Sequence, residues 1–212
     1  MDCGLRIEKI RNPQSEIHNP KSEIIQRGIS MAVAVLKRKY TYQDYLNTPD
    51  DIRYELIEGG LIMTPAPIPR HQRISGRLEF ELRKFVTEND LGEVFDAPTD
   101  IYLDDEDVIQ PDILFIPKER LDIIGEKNIQ GAPSLAIEIL SESTVYRDRV
   151  QKKKLYARFG VKEYWIVDPE EELMEVYVLK DNTYALFNTY TKDATLTSPL
   201  FQGLKIDLQR IF

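Results

Sequence analysis

The chain has 212 residues, 42% hydrophobic and 30% charged, which suits one domain with a real core and excludes the disordered classes. A formal charge of −8 argues against indiscriminate nucleic-acid binding, although a local basic stripe could still hold phosphates. Cys3 is the only cysteine, so no intrachain disulfide can form and a cytoplasmic setting is expected; no apolar run nears the roughly 20 residues that span a bilayer, so no membrane association is expected.

The first segment differs from the rest. "NPQSEIH" (12–18) is followed directly by "NPKSEII" (19–25), a tandem repeat too short for a solenoid and interrupted by proline. Residues 1–38 are read as a disordered leader, its first thirty residues an extension upstream of a start at Met31. "MAVAVL" (31–36) precedes basic residues instead of following them, the wrong order for a signal peptide. Residues 39–212 carry the globular pattern.

"TYQDYLNTPDD" (41–51) predicts a short helix capped by Thr41. "RYELIEGGLIMTP" (53–65) predicts a hairpin turning at Gly59-Gly60, and "PAPIPR" (65–70) a stiff connector. A helix is expected over His71–Asn89, with Ile74, Leu78, Leu82 and Phe85 on its inner stripe. "GEVFDAPTDIYL" (92–103) is strand-like and "DDED" (104–107) a charged turn. "DILFI" (112–116) and "LAIEIL" (135–140) are short apolar runs of the fully buried kind. A second helix, 144–159, is closed by Gly160. "EYWIV" (163–167), a hairpin about Asp181-Asn182 and a last strand near "LKIDL" complete the order. The class is α/β (α+β), with a central mixed sheet flanked by helices and a C-terminal hairpin. The chain has no GxGxxG, Walker loop, GxSxG or paired CxxC, which removes the usual support for dinucleotide, P-loop, serine-hydrolase and zinc-ribbon functions.

Glu138 is the anomaly in this pattern. It alternates with apolar neighbours and shares a face with Ala136 and Leu140. It is either an exposed glutamate on an edge strand or a buried carboxylate that needs a cation or donors. Asp112, after Pro111, lies at the mouth of a neighbouring run. If the two strands pair, both carboxylates converge on one hard cation such as Mg²⁺. In "RDRVQKKKLYARFG" (147–160), α-helical phase selects one lysine: Lys152 precedes Leu155, Tyr156 and Phe159 by three, four and seven residues, with Asp148 four before it. A lysine snorkelling outward or paired with Asp148 alone is the plainer alternative. Lys153, Lys154, Arg147 and Arg158 read as a solvated basic surface. His71 opens the inner stripe of the first helix, where a structural histidine would also be at home. Glu55 alternates with apolar residues before the turn, with Glu58 beside it as the exposed glutamate.

Taken together, "YELIEG", "PAPIPRHQRISGRL", "QPDILFIP", "APSLAIEILSEST", "RDRVQKKKLYARFGVKEYWIVDP" and "LKIDL" resemble the PD-(D/E)xK nuclease superfamily, and within it the Uma-type (Uma-two) family of restriction endonucleases, over about residues 40–212. The resemblance implies a restriction-endonuclease-like core and a Mg²⁺-dependent centre, with Mn²⁺ as a substitute, that hydrolyses phosphodiester bonds in nucleic acid, DNA above all. It assigns Asp112, Glu138 and the backbone carbonyl of Ile139 to the metal, and Glu55, His71 and Lys152 to the rest of the catalytic set. It departs from the plain ExK pattern, since Leu140 stands two residues after Glu138. The lysine has migrated to the following helix, where Lys152 matches. Arg147, Arg149, Lys153 and Arg158 are the expected guide for a nucleic-acid backbone. A homodimer is left open, and a catalytically silent binding or scaffold protein that keeps the fold is the alternative.

Overall fold

The structure, a computed structural model, describes residues 38–49 and 51–212. The expected leader and its repeat lie outside the described residues. The first helix, α1 (Tyr42–Leu46), has the expected Thr41 cap: its side chain accepts from the Asp44 N–H, and the Asp44 carboxylate accepts in return from the Thr41 N–H. Strands β1 (Tyr54–Ile57) and β2 (Gly60–Met63) form the expected hairpin. Its turn is one residue earlier than expected. Glu58 and Gly59 take φ of +52° and +76°, the pair of left-handed positions that a two-residue hairpin loop requires. Gly60 is already paired with Ile57.

The long helix α2 (Pro69–Glu88) begins with proline at its first turn, where the missing N–H costs nothing. Its buried stripe is Ile74, Leu78, Leu82 and Val86, with Phe85 only partly buried. No side chain caps its start, because the N-cap residue is Ile68. An absent cap costs about 1 kcal/mol, whereas each buried stripe residue contributes about 1.5–3 kcal/mol, so packing decides that the helix forms.

The stretch 92–103, read as one extended run, divides into β3 (Gly92–Asp96) and β4 (Ile101–Asp104) in different sheets. Pro98, without an N–H, stands between them. The "DDED" segment is the tight turn from β4 into a short strand, β5 (Asp107–Ile109). Next come β6 (Ile113–Pro117), β7 (Ile129–Gln130) and β8 (Leu135–Ile139). A π-helical turn, Arg147–Lys152, then runs directly into α3 (Lys153–Arg158). Gly160, at φ +78°, ends that helix in the left-handed region. The N–H of Val161 reaches the Tyr156 carbonyl and that of Gly160 the Ala157 carbonyl, a Schellman closure. The chain ends with β9 (Glu163–Asp168), β10 (Leu173–Lys180), β11 (Thr183–Thr191), β12 (Thr195–Leu196) and β13 (Ile206–Asp207).

The expected mixed sheet is the six-stranded one, in the order β11-β10-β9-β8-β6-β3, in which only β8 and β9 run parallel. The helical segment between them makes the crossover that a parallel pair needs. A second mixed sheet, β2-β1-β5-β4-β7, lies beside it, and β12 pairs with β13 as a separate ribbon. One face of the six-stranded sheet carries Ile113, Ile137 and Trp165 into a core closed by α2 and the C-terminal segment. The other face carries Leu114, Ala136 and Tyr164 against Leu155, Tyr156 and the five-stranded sheet. Glu138 belongs to this second face. Among the described residues no helix is long and apolar enough to cross a membrane.

Candidate active site

Antiparallel pairing of β6 with β8 sets Ile113 opposite Ile137, so one step further Asp112 comes opposite Glu138. The Ile139 N–H donates to Asp112 Oδ2 at 2.7 Å, which fixes that carboxylate at the strand ends. Glu138 is 3% exposed and lies in the interior of the sheet. The edge-strand reading therefore falls, and the desolvated carboxylate must find its partners. It finds two, both on its Oε1: Lys152 Nζ at 2.8 Å and the Tyr156 hydroxyl at 2.6 Å. Its Oε2 accepts no hydrogen bond among the described residues.

Lys152 is as deeply buried as the carboxylate it meets, at 2% exposure. Its ammonium also lies 2.8 Å from Glu55 Oε1 and 3.7 Å from Asp148 Oδ1. Pairing with Asp148 is thus the weakest of its three contacts, and the snorkelling alternative is excluded by burial. Glu55 reaches the site from β1, next to the turn, and its Oε1 also accepts the Gln110 N–H at 3.0 Å. Arg147 Nε stands 3.6 Å from Glu55 Oε2 and 3.9 Å from Asp148 Oδ1, and all three atoms are buried without a hydrogen-bond partner. His71, in the first turn of α2, places Nε2 3.2 Å from Asp112 Oδ2.

Four carboxyl groups thus surround Lys152, Arg147 and His71. Burial pushes the Glu138 carboxyl well above its usual range; Lys152 pulls it back, and Asp148, Asp112 and Glu55 push it up again. Burial works against the Lys152 ammonium, but Glu138, Glu55 and Asp148 outweigh it, so the lysine stays charged beyond the usual range. Burial also holds the Tyr156 phenol well above its usual value, keeping it protonated as a donor to Glu138. For His71, burial disfavours the imidazolium, while Asp112 and the Ile139 carbonyl favour it, and the net shift is upward. Its proton therefore stabilises the fold below the unfolded value of 6.5, and that gain is lost as pH rises through the folded value. The margin by which wild type exceeds His71→Gln in urea unfolding should shrink as pH rises above 6.5. A margin that does not change with pH would contradict the His71–Asp112 pairing.

All of Glu55, His71, Asp112, Glu138, Ile139 and Lys152 line one cavity of about 660 Å³. Among the described residues no group of three or more His, Cys, Asp and Glu side chains is arranged to hold a metal by side chains alone. The structure corrects the reading of Arg147 as part of a solvated surface: it is 11% exposed and lines the same cavity. It also corrects the expected basic guide. Arg149 is held by Glu175 and Asp168, Arg158 by Asp107, and Lys153 lies 3.4 Å over the Tyr177 ring, so local partners already engage these charges. Tyr156 was legible as a stripe residue but not as a donor to Glu138. Gln110 carried no sequence signal.

Residues 41–209 match the model of the Uma2 family, described as "Putative restriction endonuclease". The chain belongs to the Uma2 family. A crystal structure of a putative nuclease belonging to DUF820 from Anabaena variabilis is similar in fold, with a TM-score of 0.68 at 22% identity, covering 81% of this chain and 97% of that one. No curated protein matches the sequence. In this Uma2 chain the restriction-endonuclease-like sheet is the six-stranded one, and the cavity opens where β6 begins and β8 ends, beside α2 and the π-helical turn.

Proposed function

We propose that the chain is a Mg²⁺-dependent endonuclease that hydrolyses phosphodiester bonds in DNA through a PD-(D/E)xK-type site whose lysine has moved to the helix after the second acidic strand. The observation that carries this reading is the contact of Lys152 with both Glu138 and Glu55 at 2.8 Å, made from the helix and not from β8. Asp112, Glu138 through Oε2 and the Ile139 carbonyl would hold the ion. These are the hard oxygen donors Mg²⁺ prefers, and so small a set suits an ion that keeps several waters. When bound, the ion supplies charge neutralisation at the phosphoryl oxygens and a more acidic water.

The chain's own residues do the rest. Lys152, charged and dry, orients the attacking water and offsets negative charge developing on the phosphate. Glu55 and Glu138 fix that ammonium between two carboxylates, and Tyr156 fixes Glu138. His71 braces Asp112 at its Oδ2 and can turn toward a phosphate oxygen. Arg147, with an unpartnered Nε inside the cavity, is a second donor for the substrate's charge. Lys152 already spanning two site carboxylates also suits the rival reading, a scaffold that keeps the fold without cleaving. Nicking of supercoiled DNA tests the proposal: wild type should nick with Mg²⁺ or Mn²⁺ and stop with chelator, and Glu138→Ala should be inactive. Equal nicking by Glu138→Ala would overturn the assignment.

A further inference from the structure

We propose that the cavity takes single-stranded or locally unpaired nucleic acid, with a base seated against an apolar wall formed by Ile68 and Val145, and does not take intact duplex. The inference rests on the nuclease reading and names the substrate form it would accept.

Depth is the first argument. The innermost groups of the centre are almost fully enclosed, Glu138 at 3% and Lys152 at 2% exposure, and His71, Arg147 and Asp112 above them are still mostly buried. A paired duplex is a stiff rod with its phosphates constrained along a helical path. A single strand can turn one phosphate inward and lay the adjoining base on the wall. The cavity, at about 660 Å³, lies in the range that encloses a small organic ligand, the scale of an extruded nucleotide and not of a double helix.

The wall is the second argument. Ile68 is 61% exposed and Val145 is 40% exposed, and both line the cavity. Ile68 is also the N-cap residue of α2 and makes no cap hydrogen bond, at a position where Ser, Thr, Asp or Asn would stabilise the helix. It fills no core either. An apolar side chain that forgoes the cap and faces an open cavity provides a surface for a flat, weakly hydrated group such as a nucleobase.

Charge is the third argument. Duplex affinity comes largely from cations that neutralise successive phosphates. Near this mouth Arg70 is held by Glu170 and Arg149 by Asp168 and Glu175, while Glu142 and Glu171 add negative charge to the lining. Such a rim penalises a densely charged rod more than a flexible strand held partly by its bases.

One labelled oligonucleotide presented as a single strand, as a perfect duplex and as a duplex with an internal bubble tests the inference on the full-length protein with Mg²⁺. Single strand and bubble should be cut at least about tenfold faster than duplex. Ile68→Ser/Val145→Ser, which supplies a proper cap and so retains the fold by circular dichroism, should lower that preference several-fold by weakening the hold on single strand. Duplex cut as fast as single strand, or a preference untouched by the double substitution, overturns the inference while leaving the nuclease reading intact. If no form is cut, the nuclease reading fails, and anisotropy with Ca²⁺ in place of Mg²⁺ decides on the same three forms. Tighter binding of single strand than duplex, reduced in the double variant, upholds the inference; equal binding or none overturns it.

Discussion

Replacing Lys152 with alanine should abolish metal-dependent cleavage and lower the unfolding free energy by about 3–5 kcal/mol, the cost of leaving buried charges without their partner. Glu138 and Glu55 both lose a 2.8 Å contact in this variant, and Asp148 loses its weaker one. Lys153→Ala is the matched control. Its ammonium lies over the Tyr177 ring, outside the cavity, so cleavage should persist and stability should fall by only about 0.5–1 kcal/mol. Urea unfolding and a nicking assay on both variants measure the two effects together. Lys152→Met separates them: with its similar volume and no charge it should recover part of the stability and none of the activity. Equal cleavage by Lys152→Ala and Lys153→Ala would remove Lys152 from the mechanism.

Asp112→Asn should eliminate the heat of Mg²⁺ binding in calorimetry and slow cleavage by about 100-fold or more, since even outer-shell partners of a metal site are worth 10–100-fold. The substitution retains an oxygen for the Ile139 N–H, which now meets Asp112 Oδ2 at 2.7 Å, so the fold should survive it. The same titration separates the enzyme from the silent scaffold. Binding that depends on Asp112 supports a working centre. Binding that is absent from wild type, or unaltered by the substitution, favours the scaffold.

What the sequence conveyed of this fold follows from periodicity. The α2 stripe, the apolar runs that became β6, β8 and β9, and the Gly160 closure each have a local cause that can be read in a short window. The two-sheet arrangement was less legible. Pro98 marks a break between β3 and β4, but nothing nearby says that the strand after it will join another sheet. The β1–β2 turn moved by one residue because the loop geometry needs two left-handed positions, and Glu58 accepts one despite its side chain.

At the site, the face of Glu138 and its opposition to Asp112 were predictable from alternation once the two strands were taken as neighbours. Lys152 was predictable from phase because Leu155 and Tyr156 lie in the regular α3 that follows it. Arg147 was misread for a definable reason. In an α-helix, positions four apart share a face, which places a residue five before Lys152 on another side. The turn Arg147–Lys152 is closed instead as a π-helix, where residues five apart stack. Arg147 is thereby brought over the same carboxylates as Lys152.

That π-helical turn also bears on how such chains diverge. Removing one residue between Arg147 and Lys152 would let the segment relax into ordinary α geometry with Arg147 four positions before Lys152, still on the same face. Lys152, anchored by the regular helix after it, would keep its place. A relative with a regular α turn here would then keep both cations over the carboxylates only with its arginine four, not five, positions before the lysine. Comparisons among such proteins therefore need the spacing between Arg147 and Lys152 as much as the residues themselves.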